Sequence, residues 1–312
     1  MAELVNIAGT ELTTRQTVSA DLFKRWIAYI DASPKTVATY TRAIKRFFLY
    51  LQAAGISQPT RETVVQYREY LKQDHKPTTV QSYLTAVKLF FQWTDQEGLY
   101  PDIANHVKGA KLDTGHKRDY LTSKQAARLL EGVDRSSLKG LRDYAILSLM
   151  VTTGLRTVSV IRADIQDIRT VGDDVALFYQ GKGHEEKATF VKLAPPVEEA
   201  IRAYLKARGP ADKTAPLFAS IAHRNSGQRM TTRSISRLAK EHLVNIGLDS
   251  DRLTAHSLRH TAATLNLLNG GTIEETKQLL DHASIDTTLI YSHALERAKN
   301  KSEIRIAKAV FG

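Results

Sequence analysis

The segment His256-Ser-Leu-Arg-His-Thr-Ala-Ala-Thr264 opens a helical stretch reaching about Asn269 and sets an imidazole and a guanidinium three residues apart. On its own a His-x-x-Arg pair is a weak signal, because such a histidine is more often packed or exposed for structural reasons. Its neighbours along the chain change its weight. Upstream, Thr-Gly-Leu-Arg ends in Arg156 and Gly181-Lys-Gly centres on Lys182; downstream, Leu-Asp-His ends in His282, and Tyr291 follows nine residues later. Two arginines (Arg156, Arg259), two histidines (His256, His282), a lysine and a tyrosine together suit the attack of a phenol on a phosphodiester.

Each group has a part in such a reaction. Arginine presents a planar fork matched to phosphate, so Arg156 and Arg259 are the natural clamps. Imidazoles at His256 and His282 donate hydrogen bonds or move protons near neutral pH. Lys182, on a turn, can approach the leaving 5′ oxygen as general acid, with Lys187 the second choice. Tyr291 is a poor nucleophile as a free phenol, with a pKa of about 10, and cationic neighbours are expected to favour its phenolate.

Taken together, these boxes resemble the tyrosine recombinases, or phage integrase family, and the resemblance covers nearly the whole chain. It implies a mainly α fold with a small β-sheet: an N-terminal four-helix SAM-like core-binding domain and a C-terminal α+β tyrosine recombinase catalytic domain. It implies a site-specific recombinase in which Tyr291 forms a 3′-phosphotyrosyl link and frees a 5′ hydroxyl. The bond is kept for rejoining, so no cofactor, ATP or metal is required. A C-shaped clamp acting as a homotetramer on two double-stranded DNA sites, through a Holliday junction, is the implied assembly, alone or with a related recombinase or directionality factor. No arm-binding domain is expected ahead of the four helices, which resembles the compact Xer type; an integrase of a phage or mobile element fits equally. Two rivals stand beside this reading: DNA relaxation as by a type IB topoisomerase, and a catalytically decayed DNA-binding accessory protein.

Two positions depart from the family pattern. Relatives usually carry an acid three positions after the first arginine, where this chain has Ser159, and a glycine before the third-box histidine, where it has Asp281. The missing acid would buttress Arg156. A carboxylate at 281 is expected to raise the pKa of His282. Neither change removes a group that makes or breaks bonds.

The N-terminal half carries an internal repeat. Pro34-Lys-Thr-Val-Ala-Thr-Tyr-Thr-Arg-Ala-Ile-Lys-Arg-Phe-Phe48 matches Pro77-Thr-Thr-Val-Gln-Ser-Tyr-Leu-Thr-Ala-Val-Lys-Leu-Phe-Phe91 without a gap, at the Pro34-to-Pro77 offset of 43 residues. Proline at the first turn and a glycine past the end (Gly55, Gly98) mark each copy as one long helix. Shorter helices over about 21–30 and 60–72 complete a four-helix unit. Helix N-termini with free amides and nearby lysines are natural phosphate sites. The candidate DNA contacts are therefore Lys35, Thr36, Arg42, Lys45 and Arg46 on the first long helix and Lys76, Thr79, Gln81, Ser82 and Lys88 on the second. The basic connector adds Lys108, Lys111, Lys117 and Arg118.

The expected organisation is an extension over 1–19, a core-binding domain over 20–105, a linker over 106–118 and a catalytic domain over 119–312 with a tail from 294. Within the last, helices are expected over 124–132, 138–153, 195–208, 231–246, 256–269 and 273–280, and a hairpin over 174–180 and 188–193 with Lys182 on its turn. The tail is basic and amphipathic, with Ile304, Ala307, Val310 and Phe311 at helical spacing. It can dock on its own domain or, as in related recombinases, on a neighbouring protomer.

Composition agrees with a nucleic-acid partner. Of 312 residues, 44 are Lys or Arg against 33 Asp or Glu, a net charge of +11 that favours a polyanion. The absence of cysteine excludes disulfides, thiolate zinc sites and cysteine nucleophiles. Without a signal-peptide core or a membrane-length apolar run, the expectation is a soluble cytoplasmic protein associated with the nucleoid. His260 is expected to support the fold, and His293 to be structural or tuning. His75, His106, His116, His223 and His242 show no ligand spacing.

Overall fold

The computed structural model describes residues 20–111, 119–181, 186–291 and 300–312. Lys117, Arg118, Lys182, His116, His184 and His293 lie outside the described residues, as do residues 1–19. Contacts divide the chain into two compact units, residues 1–114 and 115–312.

The first unit holds α1 (Ala20–Tyr29), α2 (Pro34–Ala53), α3 (Arg61–Asp74) and α4 (Pro77–Gln96). The sequence repeat is a structural repeat. Pro34 and Pro77 sit in the first turns of α2 and α4, and Gly55 and Gly98 leave them in the left-handed region, at φ 64 and 66. Phe47 and Phe90 are equivalent positions, as are Phe48 and Phe91, and all four are buried. The rings pair crosswise, Phe47 with Phe91 at 5.8 Å and Phe48 with Phe90 at 5.2 Å, both nearly edge-on. Position i of one copy thus meets position j of the other and the reverse, the pattern of a twofold contact within one chain. Trp26, Leu51, Val64, Tyr67, Leu71 and Leu84 close this core.

The second unit begins with α5 (Ser123–Glu131) and α6 (Leu138–Thr153), followed by α7 (Thr157–Arg162). Strands β1 (Ile168–Val171), β2 (Asp174–Tyr179) and β3 (Thr189–Lys192) form an antiparallel sheet in that order, with Ile168 opposite Leu177 and Leu177 opposite Val191. Then come α8 (Pro195–Arg208), α9 (Thr232–Asn245), α10 (Ala255–Leu268) and α11 (Ile273–Leu280), the helical residues 286–291 (α12), and α13 (Ser302–Phe311). Helix α6 is the hub. Residues 145–151 are buried without interruption, and α8 and α10 pack against it, as expected of a helix apolar on all sides. The expected hairpin is present as β2 and β3, while β1 and α7 are elements that the sequence pattern does not reveal.

Two features set the site. Gly154 closes α6 at φ 64, and a Cβ there would meet Leu280 Cδ2 at 2.6 Å and Ala262 Cβ at 3.2 Å. Only glycine satisfies both the backbone and the packing. The tail helix α13 leaves Ile304, Ile306, Val310 and Phe311 exposed. Among the described residues no helix is long and apolar enough to cross a membrane.

Candidate active site

Local capping places the central box. Thr254 and Ser257 form a capping box at the start of α10, and Thr254 Oγ1 accepts the amide of His256 at 3.3 Å. Within the helix, His256, Arg259 and His260 stand at i, i+3 and i+4, hence on one face. His256 is exposed, whereas Arg259 and His260 are buried.

Arg259 is held by the ends of two other helices. Its Nη1 donates to the Gly154 carbonyl at 2.8 Å, and its Nη2 donates to the Leu280 carbonyl at the end of α11. Arg156 stands two residues past Gly154, at the start of α7, with Nη1 and Nη2 each 3.5 Å from the Asp281 carbonyl oxygen. Asp281 follows α11 with φ 50, left-handed backbone that usually holds glycine. For a residue with a Cβ that geometry costs about 1–2 kcal/mol.

The aromatic groups form a row. His256 and His260 pack edge-on at 4.7 Å, His260 lies 5.2 Å from the Tyr291 ring, and His282 stacks parallel to Tyr291 at 6.5 Å. Thr288, fully buried, shares a 2.9 Å hydrogen bond with His282 Nδ1. Five of the six sequence-predicted groups, Arg156, Arg259, His256, His282 and Tyr291, therefore converge; Lys182 is outside the described residues. A groove of ≈ 460 Å³, lined by Ala188, Thr189, Phe190, Lys277, Gln278, Asp281 and His282, opens beside them.

Electrostatics correct two expectations. Burial raises the Tyr291 phenol, and the opposing pull of Arg259 and Arg156 is too small to reverse it. His282 is not raised by its neighbouring carboxylate: burial, then Arg259, Arg156 and His256, push it down to about 4. The Asp281 carboxylate instead faces Arg156, with Oδ2 3.9 Å from Nη1. Burial and Arg156 lower Arg259 to about 10, which leaves it charged at neutral pH.

A neutral His282 has a measurable consequence. Its native pKa lies below the ordinary histidine value, so the unfolded chain binds the extra proton and stability falls as pH drops from about 6.5 through about 4. His282→Asn should flatten that part of the acid limb, as read by urea melts at pH 7, 5.5 and 4.5.

Sequence reasoning missed Tyr179, at the end of β2 and 2% exposed. Burial, then Asp281, push its phenol up to about 12, with Arg259 and Arg156 pulling the other way, so it sits within electrostatic reach of the same charges. A lone tyrosine on a strand carries no local signature that could have revealed this. His260, expected only to support the fold, lies between His256 and Tyr291. Lys187 is tied to Asp164 at 2.6 Å and to Asp167, so its charge is already engaged. Ser159 is buried and donates to the Gln180 carbonyl at 3.1 Å.

The candidate DNA contacts among the described residues fall in the first unit. Lys35, Arg42 and Arg46 share the α2 face opposite its buried residues, with Lys35 and Arg42 exposed. Lys45 is exposed with Nζ 5.7 Å from the Phe23 ring centroid, and Thr36 Oγ1 lies 3.0 Å from Ser33 Oγ at the helix start. Lys76 caps α4 and is exposed, while Thr79, Gln81, Ser82 and Lys88 are half-buried along it. Lys108 and Lys111 are exposed, and the Lys108 carbonyl accepts from Arg68 at 3.0 Å.

Comparison with known proteins fits this geometry. Residues 119–297 match the phage integrase family, and residues 21–99 match the phage integrase N-terminal SAM-like domain. Tyrosine recombinase XerC of Pelobacter propionicus is 31% identical over 270 residues, covering 84% of this chain and 86% of the relative. Tyrosine recombinase XerD of Corynebacterium glutamicum is 26% identical over 289 residues, covering 87% and 93%. The fold is that of XerH recombinase bound to a palindromic difH substrate (TM-score 0.72, 21% identity, 94% of this chain and 84% of that one). It is also that of a lambda integrase tetramer on a Holliday junction (TM-score 0.66, 17% identity, 87% and 75%). With its family model spanning more than half of its length and a recombinase relative aligned over most of the rest, this chain belongs to the phage integrase family, the tyrosine recombinases.

Proposed function

We propose that this protein is a site-specific DNA recombinase that breaks and rejoins double-stranded DNA through a covalent bond to Tyr291. The observation that carries the reading is a buried tyrosine, 5% exposed, within electrostatic reach of Arg156 and Arg259, two guanidinium groups held by main-chain carbonyls. The scissile phosphate would lie between the two arginines, which neutralise its non-bridging oxygens in the transition state. Tyr291 Oη attacks phosphorus as its proton passes to His256, the bond to the 5′ oxygen breaks, and that oxygen takes a proton from Lys182. The 3′-phosphotyrosyl link keeps the bond for the reverse reaction with a new 5′ hydroxyl. Neutral His282 offers a hydrogen bond without adding charge, and exposed His256 is the proton-exchanging partner.

The core-binding helices over 20–105 would bind the same DNA as the catalytic domain. The exposed apolar residues of α13 support docking on a neighbouring protomer, hence a tetramer exchanging strands through a Holliday junction. The similar proteins named recombinases favour strand exchange over simple relaxation. Acting on DNA, the protein would work at the nucleoid.

The test is a nicked suicide duplex carrying candidate target sequence, on which the wild-type chain should leave a denaturation-resistant adduct on the 3′ phosphate. Relaxation of any supercoiled plasmid without paired sites would move the reading to a topoisomerase; tight binding without an adduct would move it to an accessory protein. For the DNA contacts, the triple reversal Lys35→Glu, Lys45→Glu and Lys88→Glu should weaken binding at least about 10-fold and flatten the log–log salt slope by about three. Unchanged affinity at low salt would remove these helices from the DNA interface.

A further inference from the structure

The residue three positions after Arg156 cannot balance its charge. Ser159 is uncharged, 2% exposed, and its hydroxyl is committed to the Gln180 carbonyl at 3.1 Å. Among the described residues the hydrogen bonds and the ion pair of the Arg156 guanidinium are made with Asp281. The Asp281 carbonyl oxygen lies 3.5 Å from both Nη1 and Nη2, and its Oδ2 lies 3.9 Å from Nη1. The two side chains are 26% and 24% exposed, so the charges meet with most of their water removed. Asp281 keeps this place with left-handed backbone at φ 50, where glycine would sit without strain. An aspartate where glycine is the easier choice marks a position whose side chain has a role that outweighs the strain.

We infer that Asp281 is the positioning residue for Arg156, a carboxylate at the end of α11 that orients the guanidinium from across the site where α7 supplies none. The inference rests on the phosphotyrosyl reading of Tyr291. The contacts are longer than the 2.7–2.9 Å of a closed charge-assisted pair, so the fork is oriented yet its donors remain available to a phosphate. Removing the carboxylate leaves Arg156 charged and supported by the Asp281 main-chain carbonyl alone, with its orientation loosened, and a clamp acting on the transition state loses rate before it loses binding.

The experiment is single-turnover cleavage of a nicked duplex by Asp281→Asn and Asp281→Gly. Both tolerate left-handed backbone, and the glycine variant also relieves the strain, so the fold should hold. Cleavage should fall about 10- to 100-fold while DNA affinity stays within about two-fold. A duplex with a methylphosphonate at the scissile position has lost the charge that Arg156 neutralises, and on it the gap to wild type should close. In an Arg156→Lys background, Asp281→Asn should add no further loss. Wild-type rates in both variants, or a gap that persists on methylphosphonate, would overturn the inference. A wild-type chain that forms no adduct would instead overturn the phosphotyrosyl reading, and this inference with it.

Discussion

Tyr291→Phe is expected to abolish the covalent protein–DNA adduct while leaving the fold and the DNA affinity in place. The change deletes one hydroxyl and keeps the ring that packs against His260 and His282 at 5.2 and 6.5 Å. Loss of the hydroxyl should cost about 1 kcal/mol of stability. The effect on chemistry is of another order, because phenylalanine has no atom with which to attack phosphorus. A fall of at least about 10⁴-fold, the scale on which loss of a nucleophile acts, is expected in a denaturing-gel assay on nicked duplex. An adduct that persisted in the phenylalanine variant would place the nucleophile elsewhere.

The largest loss of stability is expected from Asp143→Ala, at a distance from the reacting groups. Asp143 is fully buried in α6, where it accepts from Arg142 Nη2 at 2.7 Å and Lys139 Nζ at 2.9 Å, with His242 Nε2 at 3.4 Å. Burial alone would raise its carboxyl; His242, Arg142 and Lys139 overcome that and hold it below the ordinary value. Alanine would strand the Arg142 guanidinium, 7% exposed, whose remaining contact is the Ala219 carbonyl at 3.2 Å. Breaking a buried pair on one side costs about 3–5 kcal/mol, because the surviving charge stays desolvated. For a unit of this size that is roughly a 10 °C drop in Tm. Replacing both members, Arg142→Met with Asp143→Leu, should recover at least half of the loss in the same thermal melts. If the single variant melted within a degree of wild type, the network would be ornamental.

Much of this molecule is legible in the chain because its signals are local. Helix α6 announces itself by Ser137 before it and Gly154 after it, α8 by Pro195, and the α2 and α4 pair by repeated prolines and glycines. Helix α7, with six residues, and β1, with four, are too short to show a period. The order of Arg156, His256, Arg259, His282 and Tyr291 is visible in the chain, but the means of their support is not. Arg259 and Arg156 rest on the carbonyls of Gly154, Leu280 and Asp281, main-chain atoms that no side-chain pattern encodes. The Tyr291 and His282 shifts run opposite to the sequence-based expectation for a related reason. Neighbouring charges can be guessed from a motif, whereas burial exists only once distant segments close over the group.

Because Arg259 and Arg156 both lean on the end of α11, the competence of the site is tied to whether that one helix is seated. Helix α11 spans eight residues and is anchored by two buried side chains, Thr276 and Leu280. Displacing that helix would withdraw the Leu280 and Asp281 carbonyls together, leaving Arg259 on the Gly154 carbonyl alone and Arg156 without its support.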